Sequence, residues 1–328
     1  MTTSSTSSAK AVAHTNIALI KYWGKKDSQL IVPYTSSLSL TLDKFYTETS
    51  VRFDPTLPDD IVKIDHQEVA GKSWQRVHDF LTIVRNLAGM KDHAEVISHN
   101  QVPIAAGLAS SASAFAALAA AASKAAGLTL SSKDLSRLAR RGSGSACRSI
   151  FGGFVEWRRG TNDLDSYAVP LKQSALNDVA IVALTVEKKH KAVSSREGMN
   201  RSVTTSPYYP TWVKVAQNDL SDLKVAINAN DFTKFGNISE LNAMRMHALT
   251  LSAAPDFMYF NGETLTAMNE VKRLRHDGIE CYYTIDAGPN VKVLCQQANL
   301  DAIVSRFTKL LGQERVAVVH AGPGVHYL

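Results

Sequence analysis

The chain has 328 residues, enough for two domains of about 150 residues each, and its 45% hydrophobic and 20% charged residues are those of an ordinary globular protein. No apolar run approaches the ~20 residues of a membrane span, no basic run of five or more residues marks a nucleic-acid tail, and the polar start MTTSSTSSAK reads as a short frayed tail rather than a secretory signal. Net charge is +6 with a pI of about 9.1, a diffuse excess that suits a small, highly anionic substrate as well as RNA, and the three cysteines, Cys147, Cys281 and Cys295, lack metal-ligand spacing and fit a reducing cytoplasm.

In chain order, Val12 to Ile20 partly alternates and predicts a strand that delivers Lys21, Tyr22, Trp23, Gly24 and Lys25 at its end. Residues 35–53 predict two further strands: Leu38, Leu40 and Leu42 alternate with Ser39 and Thr41, and Thr47 to Phe53 is rich in β-formers. Residues 73–90 carry Trp74, Val77, Phe80, Leu81, Val84 and Leu87 at helical spacing. Ala94 to Ser98 predicts a short strand feeding Pro103 and the small-residue turn Gly107-Leu108-Ala109-Ser110-Ser111. An almost pure Ala helix follows, starting near Ser110 to Ser113 and ending at Gly127. Asp134 to Arg141 predicts a short helix, followed by a Gly/Ser loop with Arg148 and a strand from Phe154 to Trp157. Asn177 to Val186 is a strongly apolar strand.

After Thr185 a polar segment with Ser194, Ser195 and Arg196 leads into helices near 207–228, 231–247 and 262–277. Strands Cys281 to Ile285 and Val291 to Cys295 flank a sharp Asp286-Ala287-Gly288-Pro289-Asn290 turn, and a helix (Asp301 to Leu311) and a strand (Arg315 to His320) follow. The boundary is expected near residue 187, giving domains 1–187 and 188–328. Strands and helices in mixed order without βα alternation make the fold class α+β.

Four clusters can carry chemistry. The turn before the Ala helix leaves backbone N–H groups bare at the positive end of a helix dipole, an anion site to which Ser110 and Ser111 add hydroxyls; the alternative is a tightly packed helix with serines that only cap. Lys21 and Lys25 stand four apart beside Tyr22, Trp23 and Gly24, either a shaped surface or a solvated rim. In 142–153, Ser143, Gly144 and Ser145 can turn N–H groups inward, and Arg148 can grip a carboxylate or phosphate at two points. Asp286 is an isolated carboxylate at a turn, a position where aspartate usually caps backbone. Donor-rich clusters around one carboxylate would hold a nucleotide and a polyanionic acceptor, with the carboxylate at the reacting hydroxyl.

The blocks N-I-A-L-I-K-Y-W-G-K (16–25), S-S-L-S-L-T-L-D (36–43), G-L-A-S-S-A-S-A (107–114), R-R-G-S-G-S-A-C-R-S-I-F-G-G (140–153), V-S-S-R-E-G-M (193–199) and Y-T-I-D-A-G-P-N-V-K (283–292) resemble the mevalonate diphosphate decarboxylase family of the GHMP kinase superfamily, over essentially the whole chain after about residue 10. The resemblance implies a ribosomal-protein-S5-domain-2-like N-terminal domain and a ferredoxin-like C-terminal domain with the active site between them. It also implies ATP-dependent decarboxylation of (R)-5-diphosphomevalonate to isopentenyl diphosphate in isoprenoid biosynthesis, with ATP as co-substrate and Mg²⁺. By the same resemblance Asp286 is the catalytic aspartate beside the 3-hydroxyl, Lys21 acts with it, and Arg148 holds the substrate carboxylate. Ser195 lies near the substrate and the transferred phosphoryl group. Substrate contacts fall on Tyr22, Trp23, Gly24, Lys25, Arg76, Ser143, Gly144, Ser145, Ala146, Cys147, Arg196 and Met199. Nucleotide contacts fall on Ser98, Gly107, Leu108, Ala109, Ser110, Ser111 and Lys191, with Ser110 also at the metal. A cytoplasmic homodimer without nucleic-acid or membrane partners is expected. A phosphomevalonate decarboxylase, a 3-kinase that stops at the phosphorylated intermediate, and, more remotely, an RNA-binding module are the alternatives.

Overall fold

The computed structural model describes residues 7–101, 110–172, 174–187 and 192–328. The first half is built on one mixed sheet. Strand β1 (Ser8–Ile20) is followed by a small hairpin of β2 (Lys25–Asp27) and β3 (Val32–Pro33), and then by the long β4 (Ser37–Asp54). The short β5 (Ile61–Ile64) and β6 (Gln67–Glu68) lead into helix α1 (Gly71–Ala88), β7 (His93–Gln101), α2 (Ser110–Ala125) and α3 (Ser132–Gly142). A 3-10 helix, Gly144–Ile150, then runs into β8 (Phe154–Trp157) and β9 (Ala168–Pro170).

The two strands expected over 35–53 are one strand that breaks at Phe45, whose φ of 66° is left-handed, and its register against β1 shifts there between His14 and Asn16. The expected tail likewise ends sooner than read, because residues 8–10 pair with Ser50, Val51 and Arg52 of β4. The Gly/Ser loop before Arg148 is the 3-10 helix: Gly144 has room for no side chain, since a Cβ there would meet the Tyr22 ring at 2.8 Å and Trp157 at 2.9 Å. Helix α2 lies on β1 and β4 because its side chains are small. Ala116, Ala117 and Ala119 to Ala122 are fully buried there, and Phe80 and Phe115 close the same core. Across the back of α1, Asp60 accepts from Arg85 (2.9 and 3.1 Å) and from the Ala94 N–H (2.8 Å) and lies 2.7 Å from His78 Nδ1. Its carboxylate is saturated and acts as a strut.

Strand β10 (Val179–Leu184) comes before the expected boundary at residue 187, yet it pairs with strands of the second half. Its six residues are all buried, and only a central position in a sheet covered on both faces satisfies such a run. Sheet membership therefore divides the chain between β9 and β10. The second half continues with α4 (Ser195–Thr205), α5 (Tyr209–Asn228), α6 (Phe232–Leu251), α7 (Gly262–His276), β11 (Cys281–Ile285), β12 (Val291–Gln296), α8 (Leu300–Leu311) and β13 (Val316–Val319). Its antiparallel sheet has the order β11-β12-β10-β13. One face packs on α7 and α8 through Val182, Val271, Ile303 and Phe307, and the other on α5, α6, β1 and β4 through Ile181, Leu223, Phe235, Leu38 and Ile17. That second core welds the halves together.

Residues 321–328 cross back to the first sheet. Gly322 donates to Thr41 O (2.8 Å) and accepts from Gly153 N (3.0 Å), and Val325 N donates to Ile150 O (3.3 Å). Strand β14 (His326–Tyr327) then pairs with β1. No described helix is long and apolar enough to cross a membrane.

Candidate active site

Strand β1 ends in the seam between the halves, and Lys21 there is 2% exposed. Its N–H donates to Asn242 Oδ1 of α6 (2.8 Å), and Asn242 Nδ2 in turn donates to Asp219 of α5 (2.8 Å). The Lys21 Nζ donates to Ala18 O and to Asp286 Oδ1, both at 2.7 Å. Asp286 sits on the β11–β12 turn, which is tied from several sides. Gly288 N donates to Asp286 O (2.8 Å), Thr264 Oγ1 donates to Pro289 O (2.8 Å), and Asn290 Oδ1 accepts from Val186 N (2.8 Å) and Glu187 N (3.0 Å). The second carboxylate oxygen faces Lys292 Nζ at 3.6 Å, and that ammonium also donates to Asn290 O at 3.1 Å.

Burial alone would raise the Asp286 pKa, but Lys21 and Lys292, with Arg148 behind them, hold it well below the usual carboxylate range. Burial pushes both lysines down while the shared carboxylate pulls them back up. We take the coupled group as ionised, because the carboxylate has a cation at each oxygen. His247, on α6, is held at about 3 by burial and the Lys21 charge, so it is a neutral neighbour.

Arg148 is 2% exposed and gripped by the first sheet. Its Nε donates to Ser39 Oγ (2.9 Å) and Asn16 Oδ1 (3.2 Å), Nη1 to Ser37 Oγ (2.6 Å), and Nη2 to Asn16 Oδ1 (3.0 Å). Asn16 Nδ2 donates onward to Ser149 Oγ (2.8 Å) and Ser145 O (3.1 Å). Among the described residues these contacts use one hydrogen on each terminal nitrogen, which leaves each another N–H with which a carboxylate could be met. Strand alternation supplies the serines: Leu38, Leu40 and Leu42 enter the core between the halves, and Ser37 and Ser39 point the other way.

A cationic rim stands outside this pair of anchors. Lys25, Arg76 and Arg196 lie close enough to repel one another, and burial together with those two arginines lowers Lys25 to about 8. Arg76 stacks over Phe115, 4.9 Å from the ring centroid, and donates to Gly142 O at 3.4 Å. Ser143 Oγ lies 3.4 Å from both Ser111 Oγ and Ser145 Oγ, joining the first turn of α2 to the 3-10 helix. That first turn holds no acid to offset the positive end of the helix dipole, a favourable setting for an anion. The residue donors and the acid-free first turn suit a nucleotide phosphate and its Mg²⁺.

The other expected site residues occupy varied positions. Trp23 is 2% exposed, its ring edge-on to Tyr259 and its carbonyl accepting from Tyr209 Oη (2.7 Å), and with Met199 it belongs to the core under α4 and α5. Gly24 has φ 108°, and a Cβ there would overlap Tyr209 Oη, so it serves the close approach of α5. Ala146 and Cys147 are fully buried, backbone included, and burial pushes the Cys147 thiol up to about 12. Tyr22 packs edge-on to Trp157 at 4.7 Å. Ser98 is buried on β7 with its Oγ 2.7 Å from Thr49 Oγ1. Ser195 opens α4, half-buried, beside the exposed Arg196. Gly107, Leu108, Ala109 and Lys191 lie outside the described residues, and of Ser110 only the backbone at the start of α2 is described.

Asn16, Ser37, Ser39, Asn242 and Lys292 are absent from the sequence-based expectation. Two signals were there to find: an asparagine inside the apolar run N-I-A-L-I, and serines on alternate positions of a leucine strand.

A mixed α/β pair of units meeting at one anion-collecting seam is the GHMP-type two-domain architecture. Residues 13–168 match the diphosphomevalonate decarboxylase-like N-terminal domain model, and residues 181–322 match the mevalonate 5-diphosphate decarboxylase C-terminal domain model. A diphosphomevalonate decarboxylase of Ganoderma lucidum is 35% identical over 332 residues, covering 93% of this chain and 82% of that relative. Among solved structures, MDDEF in complex with MVAPP, AMPPCP and magnesium superposes with a TM-score of 0.96 at 48% identity, covering 99% of both chains. The mevalonate diphosphate decarboxylase of Staphylococcus aureus does so at 0.95 and 45%, covering 98% of both. The chain belongs to the diphosphomevalonate decarboxylase family.

Proposed function

We propose that this chain uses ATP to decarboxylate (R)-5-diphosphomevalonate, giving isopentenyl diphosphate, ADP, phosphate and CO2. The observation that carries this is one ionised carboxylate, Asp286, set beside a buried arginine with two donors to spare. A reaction that must both prepare a tertiary hydroxyl and steer a neighbouring carboxylate needs such a pair.

Asp286 accepts the hydrogen bond of the 3-hydroxyl and takes its proton as the oxygen attacks the γ-phosphoryl group of ATP. Lys21 keeps the carboxylate aimed and compensates its charge. Mg²⁺, when bound, neutralises charge on the transferring phosphoryl group; Ser110, Ser111 and the N–H groups opening α2 would hold the phosphates and ion, and Ser195 would border the same group. Arg148, locked by Asn16, Ser37 and Ser39, holds the substrate carboxylate out of the plane at C3. The C3–O bond then breaks with loss of phosphate, the bond to the carboxylate breaks with loss of CO2, and its electron pair becomes the new double bond. Lys25, Arg76, Arg196, Ser143, Ser145 and the Gly144 backbone bind the diphosphate. The same proposal makes the enzyme a cytoplasmic homodimer. The three cysteines are free and buried, as a reducing compartment allows, and sedimentation of the purified chain reads the second point.

ATP-dependent CO2 release, measured in parallel on mevalonate 5-phosphate and 5-diphosphate, tests the proposal. Release with the diphosphate is expected. Release with the monophosphate alone, or ADP formation without CO2, would replace it with one of the two related activities.

A further inference from the structure

Lys292 takes no part in the chemistry described so far, yet its position is costly. It lies on β12, which pairs with β10 on one side and β11 on the other, and it is 2% exposed. An ammonium in such a place must be compensated or it neutralises. Its flanking residues Val291 and Val293 enter the α7–α8 core, and alternation turns Lys292 to the opposite face. There its cross-strand neighbours are the small Ala183 and Thr284. Its anionic contact is Asp286 Oδ2, although Asp286 already has Lys21 at 2.7 Å on Oδ1. One cation would already balance the carboxylate, so a second lysine here is more than charge neutrality needs.

We propose that Lys292 is a positioning residue that holds Asp286 by its second oxygen, keeping the carboxylate ionised and unrotated toward the reacting hydroxyl. With Lys21 on one oxygen and Lys292 on the other, rotation about the carboxylate bond must loosen both contacts. The charged and titratable groups facing Asp286 are Lys21 from the end of β1, Lys292 from β12, Arg148 from the 3-10 helix and His247 from α6, the last held neutral by burial. Lys292 is therefore one of three cations that set the ionisation of Asp286, and the one whose removal leaves Lys21 and Arg148 in place.

The inference rests on the decarboxylase proposal and is tested by kcat and KM across pH, with MgATP and diphosphomevalonate, for the unaltered chain, Lys292→Met, Lys292→Gln, Asp286→Asn and the Lys292→Met/Asp286→Asn double variant. Both lysine variants should lose roughly 10–100-fold in kcat, the scale of a misaligned reacting group, with each KM changed by less than about twofold. Their acidic limb should move to higher pH, because losing a cation raises the pKa of Asp286 and activity needs its anion. The double variant should be no slower than Asp286→Asn, since Lys292 acts through that carboxylate. Lys292→Gln retains a donor for Asn290 O and carries the same expectation if the methionine variant does not fold. An unmoved acidic limb with near-normal kcat, or losses that multiply in the double variant, would overturn the role of Lys292 alone. No CO2 from the unaltered chain would overturn the decarboxylase proposal and this one with it.

Discussion

Lys25 is a site residue whose charge changes within a working pH range. Burial and the nearby Arg196 and Arg76 lower it to about 8, so it is charged below that pH and neutral above it. If it grips the diphosphate, KM for the acceptor should climb as pH rises through about 8, approaching about tenfold per unit above it, while kcat stays level. Lys25→Arg should flatten that rise, because a guanidinium stays charged; a KM flat from pH 7 to 9.5 in the unaltered chain would detach Lys25 from the acceptor. Arg148→Lys should lose at least about 100-fold in kcat/KM, since one ammonium cannot engage Asn16, Ser37 and Ser39 and still offer two parallel donors. Asp286→Asn should fold and bind both substrates, because its turn is tied by Thr264 and Asn290 rather than by the carboxylate. Its turnover should fall on the order of 10²–10⁴-fold. In a single-turnover quench with labelled ATP, no 3-phosphorylated product should accumulate, and its build-up would move the aspartate to the elimination step.

Among elements, α6 supports the site from behind through Asn242. Asn242→Ala would strand the buried Lys21 N–H and the Asp219 acceptor, costing about 1–3 kcal/mol, and urea unfolding followed by fluorescence would read the loss. The sequence could not announce this. On a helix that also buries Phe235, Ala243, Met246 and Leu249, one asparagine looks the same whether it caps a neighbouring strand or merely interrupts an apolar stripe. Helix α4 carries its own start signal: Ser194 followed by Glu197 marks a helix N-terminus, and the Ser194 side chain accepts from Glu197 N at 3.2 Å. Where chemistry is bunched into short blocks, as at 21–25 and 142–148, the candidate residues could be named in advance. Of their partners, Asn16, Ser37 and Ser39 left a trace in the apolar pattern of their strands, and Asn242 of α6, 221 positions from Lys21, left none.

At the scale of the whole molecule, the mixed order of strands and helices gave the fold class, but not which sheet each strand joins. Strand β10 is an apolar run like any other until β12 and β13 close on it. Because the core between the halves joins Ile17, Leu38 and Leu40 to Leu223, Phe235 and Leu294, a chain cut at residue 187 should not yield two stable pieces. Expressed alone, residues 1–187 should expose that apolar face and bind a hydrophobic dye; a monomeric, cooperatively melting fragment would show that the first sheet needs no partner.

The crossing of residues 321–328 onto the first sheet also has a temporal meaning. Ala11 of β1 stands opposite Tyr327 of β14, so this edge of β1 closes only once a far later segment of the chain has been made. The same late residues brace Ile150 and Gly153, which flank the turn bearing Arg148. Bracing of that turn is therefore a late step of assembly, whereas Asn16, Ser37 and Ser39, which hold the Arg148 guanidinium itself, belong to strands made long before it.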